Sequence, residues 1–243
     1  MITYQLDYAA GRPQMYDYIS REQKAKRIIK VLEEVLGKTN LKNLSVFDLG
    51  CSTGIIDNSL AKRFKLVVGG DIDKDALEFA KKNFKKTNLK FRFEDAMNLS
   101  FKDNSFDVVI CTHIYEHVPN PKKVFNEIKR ILKPKGVCYF AAVNKFWPLE
   151  PHYNLLFLSY LPKKLADMYI KLSRKGKIYY ESPKTYWELK ELTKSFEIIE
   201  YTEKILKNPN KFGFENIPTF IGIFTLILKY FVPTFFWILV KRG

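Results

Sequence analysis

Three apolar runs, each stopping at an acidic residue, constrain this chain more than any other feature. The first, Leu44 to Leu49, contains Asp48 and leads into Gly50-Cys51-Ser52-Thr53-Gly54. The second, Leu66-Val67-Val68-Gly69-Gly70, stops at Asp71, and the third, Phe91-Arg92-Phe93, stops at Glu94-Asp95-Ala96. Short apolar runs separated by helical patterns read as buried strands of a parallel sheet, and ligands bind at the carboxyl ends of such strands. The acidic residues therefore describe the rim of a nucleoside site.

The glycine pattern narrows the ligand. A dinucleotide fingerprint needs Gly-x-Gly-x-x-Gly, whereas here the spacing is Gly-x-x-x-Gly, with Ser52 where a second glycine would stand. Asp48 closes the strand before the turn. A carboxylate there is a poor neighbour for a pyrophosphate and a good one for an ammonium or sulfonium. Asp71 lies about 20 residues on, where an acidic side chain accepts ribose hydroxyls. The ligand implied is a nucleoside carrying a cationic, amino-acid-like tail.

These segments resemble the class I S-adenosylmethionine-dependent methyltransferases, in particular the branch holding the ubiquinone and menaquinone methyltransferases. Asp48 to Gly54 is similar to the family's first motif, Gly69 to Asp73 to its ribose motif, and Glu94-Asp95-Ala96 to its adenine motif. Ser105 to His113 is similar to its fourth strand, and Leu132 to Val137 to the turn into its fifth. The resemblance covers about residues 40–145, the span of a domain core. It implies S-adenosyl-L-methionine as cofactor, with Asp48, Gly50, Cys51, Ser52 and Gly54 around the methionine end, Asp71 and Ile72 at the ribose, Asp95 and Ala96 at the adenine, and Thr112 at the end of the fourth strand. Asp73 is expected to cap the helix beginning at Lys74.

The fold expected is α/β: a Rossmann-like, doubly wound sheet of seven strands, mostly parallel. The resemblance adds an antiparallel last strand between strands five and six, and a helical cap inserted before strand six. Strands are expected at 44–49, 66–71, 90–94, 106–112, 136–143, 196–206 and 234–240. Helices are expected at 22–37, 57–63, 75–83, 122–132 and 217–231. The organisation expected is one domain: an N-terminal lid over 1–21, a cofactor-binding core over 22–144, a substrate cap over 145–193, and C-terminal strands over 194–243. The stretch 217–240 is long enough to span a bilayer, but Pro233 and the β-rich run after it divide it into two elements.

For the chemistry, His113 stands nearest the end of the fourth strand and is the first candidate for a general base; His117 is the second. His152 and Tyr153 of the cap are alternatives, and Tyr179 and Tyr180 either line the pocket or pack. The spacing of His113 and His117 invites a metal, but no HExxH pattern accompanies it, so no metal is expected. The cysteines, Cys51, Cys111 and Cys138, form no CxxC pair and fit small buried thiols in a reducing compartment. Met1 to Ser20 has no signal-peptide pattern, which favours a cytoplasmic protein, membrane-associated at most.

The formal net charge is +15. The lysines are spread along helices without a nucleic-acid-module signature, so nucleic acid is not the expected partner. In the cap, aromatic and apolar residues (Phe146 to Leu161) adjoin a basic stretch (Lys163 to Lys177), a pattern fitting either a cap with a solvated basic face or contact with an anionic membrane. The activity expected is methyl transfer to oxygen or carbon of a small-molecule or lipid-linked acceptor. The alternatives are a non-catalytic membrane-associated or partner-binding protein retaining the cofactor fold, and an RNA methyltransferase.

Overall fold

The computed structural model describes residues 6–215 and 225–242. Seven strands form the central sheet: β1 (Ser45–Leu49), β2 (Leu66–Asp71), β3 (Leu89–Phe93), β4 (Phe106–Thr112), β5 (Leu132–Val143), β8 (Phe196–Glu200) and β9 (Thr234–Lys241). Their order is β3-β2-β1-β4-β5-β9-β8. The first five are parallel, and β9 lies antiparallel to both β5 and β8. The expected insertion of the last strand between its two predecessors is thus what the fold contains. A short ribbon of β6 (Leu149–Glu150) and β7 (Leu155–Leu156) lies apart from the sheet.

Both faces of the sheet are covered, which explains why its central strands read as unbroken apolar runs. Phe47, Val109, Cys111, Phe140 and Trp237 point to one face, where α4 (Pro121–Ile131) packs Val124, Phe125 and Ile128. Val46, Val108, Ile110, Tyr139 and Ile238 point to the other, against α1 (Tyr18–Leu36), α2 (Ile55–Leu60) and α7 (Tyr201–Lys207). α4 starts where its sequence says it should: Pro121 needs no amide partner at the first helical position, and Asn120 accepts the Lys123 amide. The three cysteines are buried and free.

Several boundaries differ from the sequence expectation. α1 begins at Tyr18 because Asp17 caps it. β5 begins at Leu132, four residues early; Lys133 pairs with Asp107 of β4 at 2.9 Å and holds the chain to the sheet past Pro134. The run 196–206 is not one strand. β8 stops at Glu200, and Tyr201, Thr202, Ile205 and Leu206 are buried at helical spacing in α7. Most of the helix expected over 217–231 lies outside the described residues. Its described part, α8 (Thr225–Leu228), does not reach 231. Asn144, just beyond β5, donates from Nδ2 to the carbonyls of Tyr230 and Val232, and its amide donates to the carbonyl of Pro233, so these carbonyls serve the β5 junction instead of a helix. Among the described residues, no helix is long and apolar enough to cross a membrane.

The insertion after β5 holds the β6–β7 ribbon and α5 (Lys163–Leu172), which share a small core of Leu155, Leu158, Ala166, Ile170 and Tyr179. Tyr179 is thus a packing residue. α6 (Tyr186–Leu192), opened by a Thr185–Glu188 capping box, carries the chain back to β8. The insertion rejoins the core along residues 182–184: Ser182 donates its amide to the Glu116 carbonyl, and Lys184 donates its amide to the Tyr115 hydroxyl, which itself donates to the Val143 carbonyl.

Candidate active site

A cavity of about 600 Å³ opens at the carboxyl edge of the sheet, within the usual range for small-molecule sites. The turn after β1 forms one wall. Gly50, at φ +82°, carries the chain under the β4 loop; a Cβ there would lie 2.0 Å from Ile114 Cδ1, so no other residue fits. Gly54, at φ +72°, ends the turn against the Phe91 ring. Between them Ser52 adopts φ +49°, a left-handed conformation that costs an L-residue about 1–2 kcal/mol.

Asp71 closes the second wall. Its Oδ2 accepts the Ser52 amide at 2.7 Å and its Oδ1 accepts the Asp73 amide at 2.9 Å. Each oxygen keeps a lone pair for a further donor. Asp73, as expected, caps α3 (Lys74–Asn83) through the Ala76 amide, and it also accepts the Ala9 amide at 2.9 Å. This second bond was not legible in the sequence. With Thr53 Oγ1 donating to the Met15 carbonyl, it lays the N-terminal arm across the mouth of the cavity, where Tyr8, Arg12, Gln14 and Met15 line it.

Asp48 lies at the floor, 3% exposed. Burial, reinforced by the charge of Asp71, pushes its pKa up to about 7, although Arg21 draws it down. Asp57 of α2 lies close by, wholly buried and without a hydrogen bond among the described residues; burial and the charge of Asp48 push its pKa well up. Among the described residues, Arg21 is the guanidinium that faces this pair. It is itself buried, and burial lowers its pKa while the two carboxylates oppose that. Two carboxylates against one cation leave the floor short of positive charge, so a cationic ligand is favoured.

Of the residues expected at the cofactor, Asp48, Gly50, Ser52, Asp71, Ile72, Ala96 and Thr112 line the cavity. Cys51 and Gly54 shape the turn behind it. Asp95 accepts the Met97 amide at 2.8 Å, and the cavity wall beside it is formed by Glu94 and Ala96. Arg21, Asp57 and Glu94 were missed as site residues, the first two because they sit on helices with no motif around them.

The opposite end of the cavity is lined by His113, His117 and His152. His113 has φ +57° and donates its amide to the Ala141 carbonyl. Its Nδ1 stands 3.4 Å from Glu116 Oε1. His117 is packed edge-to-face by Tyr8 and by His152, each 4.9 Å between ring centroids. Burial pushes its pKa down to about 3. His152 approaches Glu150 Oε1 through Nδ1 at 2.7 Å; burial opposes its charge, but this hydrogen bond prevails and its pKa is raised. Apolar groups complete the lining, among them Ile28, Tyr139, Ala141, Ile205, Leu206 and Phe236.

Comparison with known proteins agrees with this geometry. Residues 47–140 match the family described as a methyltransferase domain. The chain is 30% identical over 156 residues to the ubiquinone biosynthesis O-methyltransferase of Pasteurella multocida, an alignment covering 58% of this chain and 63% of the relative. It is 28% identical over 119 residues to the enzyme of the same description from Coxiella burnetii, covering 48% and 50%. The chain thus spans between half and two thirds of the length of these curated relatives. In overall fold it is similar to a chain from the complex of the Haloferax volcanii Trm112 methyltransferase activator with a methyltransferase, at a TM-score of 0.64 and 16% identity over the whole of both chains. It is also similar to an S-adenosylmethionine-dependent methyltransferase of Methanosarcina mazei, at a TM-score of 0.58 and 23% identity over 86% of this chain and 97% of that one. Motif series, strand order and domain match coincide on the same residues: over residues 47–140 the chain carries a methyltransferase domain.

Proposed function

We propose that this chain transfers the methyl group of S-adenosylmethionine to a hydroxyl oxygen of an apolar, ring-bearing acceptor. One observation carries the reading: a single cavity joins the polar rim built by Asp48 and Asp71 to the histidines and to an apolar lining. The cofactor would be held by Asp71 through its ribose and by the electron-rich floor at Asp48 and Asp57 through its cationic tail. It supplies a methyl group on a positively charged sulfur that leaves as a neutral thioether. The chain's own residues then need only align the acceptor and remove its proton.

His113 is the residue we assign to that proton. It lines the cavity at the end of β4, and the Glu116 carboxylate stands 3.4 Å from its Nδ1, where it orients the ring. His117, with its pKa near 3, would be a weak base. The O-methyltransferase descriptions of the relatives from Pasteurella multocida and Coxiella burnetii support oxygen as the atom methylated and a quinone-like ring as the acceptor. The test is transfer of labelled methyl from S-adenosylmethionine to a polyprenyl catechol and, separately, to a 2-unsubstituted quinol. An O-methyl product from the first is expected. Product from the second alone, with the label on carbon, would replace this reading by C-methylation.

The cap supports a second element of the reading, access to the acceptor at an anionic lipid surface. Leu156, Phe157, Leu165, Met168 and Leu172 are exposed there, beside the exposed Lys163, Lys164, Lys171 and Lys175. Flotation with vesicles containing phosphatidylglycerol, and none with neutral vesicles, is the expected result. Equal behaviour with both would remove the lipid surface from the reading.

A further inference from the structure

The chain has three histidines, and the fold gathers all of them at one end of the cavity. Three glutamates join them: Glu116 beside His113 and His117, Glu150 beside His152, and Glu181 beside His117. All three glutamates are buried. Glu150 is fully occupied, accepting from the amides of His152 and Tyr153 and pairing with His152 Nδ1. The other two are not. Among the described residues, neither oxygen of Glu116 or Glu181 has a hydrogen bond, and neither does either ring nitrogen of His117. The histidines stand 3.4 Å from Glu116 (His113) and 3.7 Å from Glu181 (His117). Buried carboxylates and imidazoles are almost always paired, so six unpartnered polar atoms in one place need a common partner.

A cation meets that need better than a proton. A ligand atom from each of Glu116, His117 and His152 lies within 4.8 Å of the other two. Tetrahedral donors around an ion with bonds of about 2.1 Å sit roughly 3.4 Å apart, so a shift of each ligand atom by no more than about 1 Å seats one. Glu150 stands behind His152 as the carboxylate that fixes a ligating imidazole through its other nitrogen.

We infer that Glu116, His117 and His152 ligate a divalent first-row transition-metal ion at the acceptor end of the cavity, with Glu150 orienting His152 and Glu181 beside His117 as an additional donor. Two imidazoles among the donors select a zinc-like ion over magnesium or calcium, which prefer all-oxygen sites. The expectation from the sequence was no metal, because no HExxH pattern accompanies His113 and His117; the fold instead sets His152 of the cap, 35 residues beyond His117, beside Glu116 and His117. If the proposed function holds, such an ion acidifies an acceptor hydroxyl next to His113. That role rests on the proposed function, whereas the ion site rests on the cluster alone.

The experiment uses the untagged full-length chain, stripped with chelator and titrated calorimetrically with Zn2+. Co2+ is added to a second sample for its visible spectrum. One ion per chain is expected, with the intense absorption of four- or five-coordinate Co2+. His152→Ala and Glu116→Gln should each weaken Zn2+ at least tenfold, and His113→Ala should not. S-adenosylhomocysteine is titrated into every protein to report whether the cofactor end is folded. No stoichiometric ion in wild type, or unchanged Zn2+ affinity in both variants while S-adenosylhomocysteine still binds, overturns the site. Should a variant fail to fold, the wild-type Co2+ spectrum decides: an octahedral, aquo-like spectrum overturns the site. Zn2+ bound at one per chain without any S-adenosylhomocysteine binding would keep the ion and remove the proposed function.

Discussion

The carboxylate of Asp71 accepts the backbone amide of Ser52 at 2.7 Å, so the residue at the end of β2 holds the glycine-rich turn after β1 in place. The ribose-binding candidate is therefore also a structural strut. Asp71→Ala should abolish S-adenosylhomocysteine binding and lower stability by about 1–3 kcal/mol, since a charge-assisted hydrogen bond to the turn is lost with it. Asp71→Asn, which keeps one acceptor, should recover part of the stability and little of the affinity. Calorimetry with chemical denaturation of the same samples separates the two effects.

Ser52 occupies a left-handed conformation and leaves its buried hydroxyl unpartnered among the described residues. Ser52→Gly should therefore raise stability by about 1 kcal/mol, which for a chain of this size is a Tm increase of roughly 2–4 °C. Affinity for the cofactor should stay within a factor of about three. Thermal unfolding with and without S-adenosylhomocysteine checks both.

The floor predicts a pH dependence. In the free protein the Asp48 pKa is pushed up to about 7, chiefly by burial. A bound ammonium lowers it, so binding releases a proton and affinity should climb as pH rises from 6 to 8. The stability of the free protein moves the other way. A carboxylate whose folded pKa exceeds its unfolded value contributes stability that is complete below about pH 4 and lost as pH rises through 7. Asp48→Asn should accordingly lose cofactor binding, flatten the pH profile and raise the Tm of the free protein at pH 8.

Arg21 is the cation facing Asp48 and Asp57. Arg21→Met should leave two buried carboxylates uncompensated and destabilise by about 3 kcal/mol at pH 8, less at pH 5. Adding Asp57→Asn to Arg21→Met should restore part of that loss. A double-mutant cycle by urea denaturation gives the coupling, and strict additivity would separate the two residues.

Much of the cofactor end was legible because it is written in short local patterns. Asp48, Gly50 and Asp71 each end a strand or shape a turn, and their positions follow from apolar runs only a few residues long. The acceptor end was not, because its parts are distant in sequence. Glu150 and His152 reach His117 only through the folding of the insertion, and Glu181 arrives from its returning segment. Helical and strand patterns were confused where side chains alone could not decide, as in 196–206. There Ile198 and Ile199 belong to β8, while Ile205 and Leu206 belong to α7. The early start of β5 depended on the Lys133–Asp107 pair, a contact between strands that no local pattern encodes.

The insertion has its own core around Leu158 and Ile170, and it meets the sheet through backbone amides at Ser182 and Lys184. Main-chain bonds make few demands on side-chain identity at the seam, although the Lys184 bond needs the Tyr115 hydroxyl. Such a module can be exchanged as a cassette: another sequence of similar length, spliced between Asn144 and Thr185, could present a different acceptor surface while the methyl-donor end kept its geometry. Selectivity for the acceptor and affinity for the cofactor can thus drift independently, and a graft across that splice would reprogram one without disturbing the other.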